Sequence, residues 1–224
     1  MKNRFRIMPK YSIFPIVILA FVFAFAYYGT KAITYNAVHT DVRTAVDGMI
    51  PLWAPSVLVY FLAYVQWVVC MFVFAWQKKE LCYRLFCSEM MGKIPAIIIF
   101  LVMPTMMFAR PEVTGTGFFD YFLRFIYAAD TPVNLFPSLH CLESWICARG
   151  IFLCPGVPKW VKWSNLVFSV LVFASTVLTK QHLILDIPGG ILCAEIGLLA
   201  ARYLTPVRFL DLPLKFARKK EGAR

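Results

Sequence analysis

Charged side chains are scarce here. Asp, Glu, Lys and Arg make up 16% of the 224 residues, where a soluble domain carries about a quarter. With 60% hydrophobic residues and a mean hydropathy of +0.69, that shortage excludes both a water-facing globule and a disordered chain. Cysteine supplies no framework either: the count is 7, an odd number, with no CxxC pair and most members inside apolar runs. They read as small buried hydrophobes, not as disulfides or a structural metal site. Internal repeats and low-complexity tracts are missing. Acidic residues are the scarcer sign, 12 against 23 basic, for a net charge of +11. This excess does not mark a nucleic-acid binder. The terminal run Lys215, Arg218, Lys219, Lys220 and Arg224 has no interleaved stacking aromatics and follows no groove-reading fold. It reads as a basic tail, 205–224, of a single domain covering 1–224, drawn to anionic lipid.

What is present is a series of long apolar runs. Six reach or approach membrane length: Tyr11 to Tyr28, Pro51 to Trp76, Ile94 to Ala109 (short, interrupted by Pro104), Pro137 to Cys154, Val161 to Leu178 and Leu183 to Leu204. The expected fold is therefore all-α, a polytopic bundle of six transmembrane helices. The first run, with its basic start and Ala24-Phe25-Ala26, also fits a signal peptide; its length favours an uncleaved span. With the N-terminus inside, every Lys and Arg falls on the inner side except Lys31, Arg43, Arg110, Arg124 and Lys180, as the positive-inside rule requires. The outer loops 29–50 and 110–136 are expected to hold short interfacial helices, the second through the aromatic stretch Phe118 to Tyr127.

Histidine numbers 3. His39 stands alone in the first outer loop and reads as solvent-exposed. His140, in Asn134-Leu135-Phe136-Pro137-Ser138-Leu139-His140, and His182, in Lys180-Gln181-His182-Leu183-Ile184-Leu185-Asp186, both fall at the outer membrane face, as does Arg110-Pro111. Ionisable groups at that depth are costly and are functional candidates. His182 and Asp186 are four apart and share a helix face. A carboxylate there fixes the imidazole tautomer and leaves the other ring nitrogen as a nucleophile. An imidazole that attacks phosphorus forms phospho-histidine, and His140 from another helix can give a proton to the departing alkoxide. Ser138 and the first-turn amides after Pro137 suit an anion, and Arg110 suits phosphate oxygens. Nine residues further in on each helix, Arg149 and Glu195 reach similar depth and are expected to pair. Glu143 shares His140's side of its helix or bonds a neighbouring one; both readings stay open.

Arg110-Pro111, Pro137-Ser138-Leu139-His140, and Ser175 through His182 to Asp186 resemble the three signature motifs of the type 2 phosphatidic acid phosphatase (PAP2) superfamily, over roughly residues 90–200. The resemblance implies a six-helix core with the site at one membrane face and a lipid phosphate as substrate. It implies His182 as nucleophile, Asp186 as its orienting partner and His140 as general acid. Arg110, Ser138 and Ser175 would hold phosphate, with no metal or other cofactor. Two family cations are replaced, the Lys of the first motif by Met103 and the Arg of the third by Thr176; Lys180, or more weakly Arg124, is the expected substitute. The reduced signature also resembles inositol phosphorylceramide and sphingomyelin synthases. The expected activity is hydrolysis of a lipid phosphate ester or pyrophosphate through phospho-histidine, with transfer to an alcohol, and proton-coupled lipid transport through the His and Asp groups, as alternatives. Oligomeric state is not legible.

Overall fold

The computed structural model describes residues 8–107 and 109–213. It is all-helical, and five helices are long and apolar enough to cross a membrane. These are α1 (Lys10–Ile33), α3 (Ala54–Ala75), α4 (Lys79–Val102), α7 (Lys159–Leu178) and α8 (Asp186–Leu204). A sixth, α6 (Leu139–Leu153, 15 residues), is about 22 Å long at 1.5 Å per residue, short of a full crossing. Short helices α2 (Ala45–Met49) and α5 (Phe118–Ala129) occupy the loops before α3 and before α6, and a final turn, α9 (Val207–Leu210), follows α8.

The largest departure from the sequence expectation is α4. The apolar run begins at Ile94, but the helix begins at Lys79 and ends at Val102. Pro104 lies beyond its end, and Pro95 lies inside it. A run-based reading stops at Lys93 because a charge there should be outside the membrane. Lys93 is instead wholly buried, about 21 Å into the helix, and its ammonium pairs with the carboxylate of Glu143 on α6. Glu89, one turn earlier, is buried beside them. Lys93 therefore leaves the inner-loop charges, and Glu143 bonds a neighbouring helix.

Small residues set the closest helix contact. Gly92 on α4 faces Gly197 on α8, and a Cβ on Gly197 would collide with the Ser88 carbonyl and the Gly92 backbone. This is the close approach that small side chains allow where lipid supplies no hydrophobic drive. Helix α6 sits innermost, against α3, α4, α7 and α8, and most of its residues are buried. All seven cysteines are buried and unpaired, as expected of small hydrophobes. Phe21, Val69, Val102, Leu192 and Leu199 are exposed along the membrane-length helices, an apolar exterior that a bilayer favours and water does not. The expected Arg149–Glu195 pair forms at 2.8 Å, and Trp145 donates to the same carboxylate oxygen at 2.7 Å. Lys79 and Tyr83 hold the start of the basic tail through Asp211, at 2.9 and 2.8 Å; the terminal cations Lys215 to Arg224, like Lys2, Arg4 and Arg6, lie outside the described residues.

Candidate active site

Helix α6 begins at Leu139 with Ser138 as its N-cap, whose hydroxyl accepts from the Cys141 amide at 3.2 Å. Its first turn places His140 on the bundle interior. His182 lies in the short connection between α7 and α8, and Asp186 is the first residue of α8. The two segments are tied directly, because the Ser138 amide donates to the Asp186 carbonyl at 3.1 Å. A side chain on Gly190 would strike the Ser138 carbonyl, so glycine there lets the two helix starts meet.

The imidazoles face each other edge to face, with ring centroids 5.7 Å apart. Nδ1 of His182 is 3.1 Å from Oδ2 of Asp186 and 3.1 Å from the Leu135 carbonyl. Both neighbours only accept, so Nδ1 carries the proton and Nε2 keeps its lone pair. Asp186 is fully buried, and its Oδ2 also accepts from the Leu183 amide at 2.8 Å. That oxygen is thus spent on positioning, while Oδ1 is buried without a hydrogen bond. His140 is stacked on Tyr60 at 4.4 Å, touches Trp67 at 5.2 Å, and has Nε2 3.2 Å from the Tyr64 hydroxyl.

Loop geometry on both sides is unusual. Asn134 and Lys180 both adopt positive φ, 55° and 54°, a conformation that costs a non-glycine residue energy and clusters at functional sites. Each is held by distant partners. The Asn134 amide donates to the Thr105 carbonyl at 2.7 Å and its side chain to Thr30 at 2.9 Å. Lys180 donates to the carbonyls of Asp47 and Ile50, at 2.9 and 2.5 Å. Asp47, at 2.8 Å from the Thr44 hydroxyl, also accepts from the Ile184 amide at 2.7 Å, so the loop that carries α2 props the His182 segment. Burial in this loop pushes the Lys180 ammonium below its usual range.

Two cavities flank His182. One, of about 160 Å³, is lined by both histidines and by Tyr27, Lys31, Asp130 and Asn134. The other, of about 300 Å³, is lined by His182, Arg43, Asp47 and Lys180. Phe23, Tyr64 and Trp67 line the first cavity and also an apolar groove between α1 and α3 that runs down to Glu89, Lys93 and Glu143. The histidine pair therefore opens sideways, along the helices.

The sequence-nominated residues divide in this setting. His140, His182 and Asp186 come together. Arg110 is near but does not line either cavity: its guanidinium donates to the Asp130 carbonyl at 2.8 Å and to Gln181 at 3.1 Å, behind the wall those residues form. It also lies over the Tyr127 ring at 4.8 Å. Its Nε is buried and unbonded, and burial presses its basicity down. The Ser138 hydroxyl is used as a cap. Ser175 returns its hydroxyl to the Val172 carbonyl within α7 at 2.7 Å, and Thr176 does the same to Phe173 at 2.8 Å. The Thr176 carbonyl, however, receives the amides of Gln181 and His182, both at 3.0 Å, and so shapes the loop. Arg124 is turned to the carbonyls of Val113 and Gly115. His39 is half-buried in the first loop, apart from the pair.

Sequence reasoning passed over Lys31. It sits one turn past the end of the first apolar run and was counted only as an outer charge. In the structure its ammonium is 2.5 Å from Asp130 and 4.1 Å from the Tyr27 ring, inside the histidine cavity. Burial pushes the Asp130 carboxyl up, but Lys31, the Tyr27 hydroxyl and Arg110 outweigh that and hold it below the usual carboxylate range. The available signal was position: Lys31 is the only basic residue at the outer end of the first run. Among the described residues no three His, Cys, Asp or Glu side chains converge as metal ligands would.

A family model described as the PAP2 superfamily matches residues 36–200, which spans all three motif segments and both cavities' loops. No curated protein and no solved structure gives a match to the chain.

Proposed function

The chain belongs to the PAP2 superfamily, and from that premise we propose that it is a membrane-embedded lipid phosphatase, cleaving a phosphate ester or pyrophosphate of a lipid through a phospho-histidine intermediate. The observation that carries this reading is the paired imidazoles, 5.7 Å apart, one of them with its Nδ1 proton held between two acceptors. Nε2 of His182 attacks phosphorus, and the bond from phosphorus to the lipid oxygen breaks. His140 gives that oxygen a proton. Water then attacks phosphorus as His140 takes its proton, the phosphorus–nitrogen bond breaks with its electron pair returning to Nε2 of His182, and inorganic phosphate leaves. Asp186 stabilises the positive charge that His182 acquires.

Phosphate oxygens need cations. Lys31 lines the cavity, paired there with Asp130, and is the cation assigned to the phosphate in place of the Lys that Met103 replaces; Arg110 supports it from behind Asp130 and Gln181. Lys180 and Arg124 are occupied by backbone carbonyls and are weaker holders of phosphate. Substrate arrives sideways, its tail lying in the groove between α1 and α3 lined by Phe23, Tyr64 and Trp67. The Lys and Arg asymmetry puts the histidine end outside and both termini in the cytoplasm, with α2 and α5 at the headgroup level.

One observation favours a second reading, transfer to an alcohol. The second cavity, on the Lys180 side of His182, offers room for an acceptor beside the same ring. A single assay separates the two. Purified protein is incubated with labelled phospholipid and candidate alcohols, and inorganic phosphate and new lipids are scored together. Hydrolysis releases phosphate; transfer yields a lipid with an exchanged headgroup. Vanadate should inhibit either. His182→Ala should abolish both products, and full turnover by that variant overturns the histidine route.

A further inference from the structure

The end of the bundle opposite the histidines carries a second cavity system. Arg84 lies five residues into α4, Arg149 four residues from the end of α6, and Arg202 two residues from the end of α8. At about 1.5 Å per residue, all three stand within about 8 Å of the same end. They line one cavity of about 280 Å³. Glu195 is the one acidic residue in its wall, and it is already taken by Arg149 and Trp145. Arg84 and Arg202 have no ion-pair partner among the described residues. Glu80, four residues before Arg84 on the same helix, forms no ion pair with it, and the Arg202 guanidinium lies over the neighbouring Tyr203 ring at 5.7 Å, so neither guanidinium meets a carboxylate among the described residues.

The rest of the lining is apolar: Phe152, Leu153, Leu198 and Leu199. Leu199 is 60% exposed and Leu153 43%, so this surface continues along the membrane-length face of α8. Unpaired cations beside hydrocarbon are costly unless an anion is supplied there. Basic pockets between helices, at the level of the headgroups, fit acidic phospholipids. No imidazole, thiol or unpaired carboxylate lines the cavity, so it holds a ligand and does not transform it.

We propose that this cavity binds the phosphate of an anionic phospholipid from the surrounding leaflet, with Arg84 and Arg202 as its cations and Leu198, Leu199 and Phe152 against its acyl chains. The site is independent of the reaction at His182. By the charge asymmetry it faces the cytoplasmic leaflet, where a membrane concentrates its acidic lipids.

The test uses the full chain, reconstituted in nanodiscs of phosphatidylcholine with a minor share of phosphatidylglycerol. Lipids that remain bound after extraction are read by native mass spectrometry. The wild type should retain phosphatidylglycerol in preference to phosphatidylcholine, and less so as salt rises. Arg84→Gln with Arg202→Gln should cut that preference about tenfold or more and leave turnover at the histidine end unchanged. Equal retention of the two lipids by the wild type overturns the proposal without need of a variant. So does a folded double variant that keeps the preference. Displacement of the bound lipid by millimolar inorganic phosphate overturns it too, since it would make the site one for a soluble anion.

Discussion

His140 and Glu143 stand one turn apart on the same helix, both buried, and belong to two very different clusters. The upper one joins His140, His182 and Asp186. There Nδ1 of His182 is held between Oδ2 of Asp186 and the Leu135 carbonyl, while Nε2 of His182 is left with its lone pair and Oδ1 of Asp186 is buried without a hydrogen bond. The lower one is the Lys93–Glu143 ion pair across α4 and α6, with Glu89 buried beside it. The contrast separates two uses of a costly residue inside a membrane. Under the proposed mechanism, the group assigned to chemistry is oriented by its neighbours but left with one unspent ring nitrogen. A group meant to join helices spends its charge on a partner. Burial alone does not distinguish them; the accounting of donors and acceptors does.

The comparison can be broken from either side, starting with the largest effect. His182→Ala should lower turnover by more than about a thousandfold, with no comparable fall in melting temperature; His140→Ala should cost about 10²- to 10⁴-fold. The lower cluster should do the reverse. Lys93→Met leaves a buried carboxylate uncompensated and should destabilise by about 3–5 kcal/mol, seen in thermal melts in detergent. Lys93→Met with Glu143→Gln should recover most of that loss, and if it does not, the two charges do not compensate each other. Lys31→Ala should raise KM about ten- to hundredfold through the lost charged contacts and alter kcat less. Its partner supplies a pH test. Because the Asp130 carboxyl is held low, its contribution to stability is complete above the ordinary carboxylate value of about 4 and fades as pH falls through the lower folded value. Asp130→Asn should therefore melt below the wild type at pH 6, and the gap should narrow progressively as pH falls below about 4. The smallest effect belongs to Arg149→Gln. That pair is about half exposed, 52% and 40%, and should be worth under about 1 kcal/mol.

The all-helical architecture and the meeting of His140, His182 and Asp186 were legible because each leaves a mark in one dimension. Apolar runs give helices, and the four-residue step from His182 to Asp186 gives a shared face. The inward spacing of Arg149 and Glu195 predicted their contact for the same reason. The true start of α4 was hidden because hydropathy counts Lys93 and Glu89 as water-seeking, and only the arrival of Glu143 from another helix makes them internal. Ser138 and Ser175 show what one dimension leaves out: the Ser138 oxygen caps the Cys141 amide and the Ser175 hydroxyl turns back to the Val172 carbonyl, local bonds that the motif alone does not reveal. Lys31 was overlooked because its pocket is assembled from the first helix, Asp130 and Asn134, segments some hundred residues apart.

The amide of Ser138 resting on the carbonyl of Asp186 welds the starts of two helices into one block. The two rings therefore cannot be widened or narrowed independently to suit a bulkier headgroup. Room must be made by the opposite wall, where the first helix loosens into a π-helical turn over Phe25–Gly29 and presents Tyr27 and Tyr28 to the cavity. Variation in that turn, and not in the histidine segments, is where a change of preferred lipid would be written.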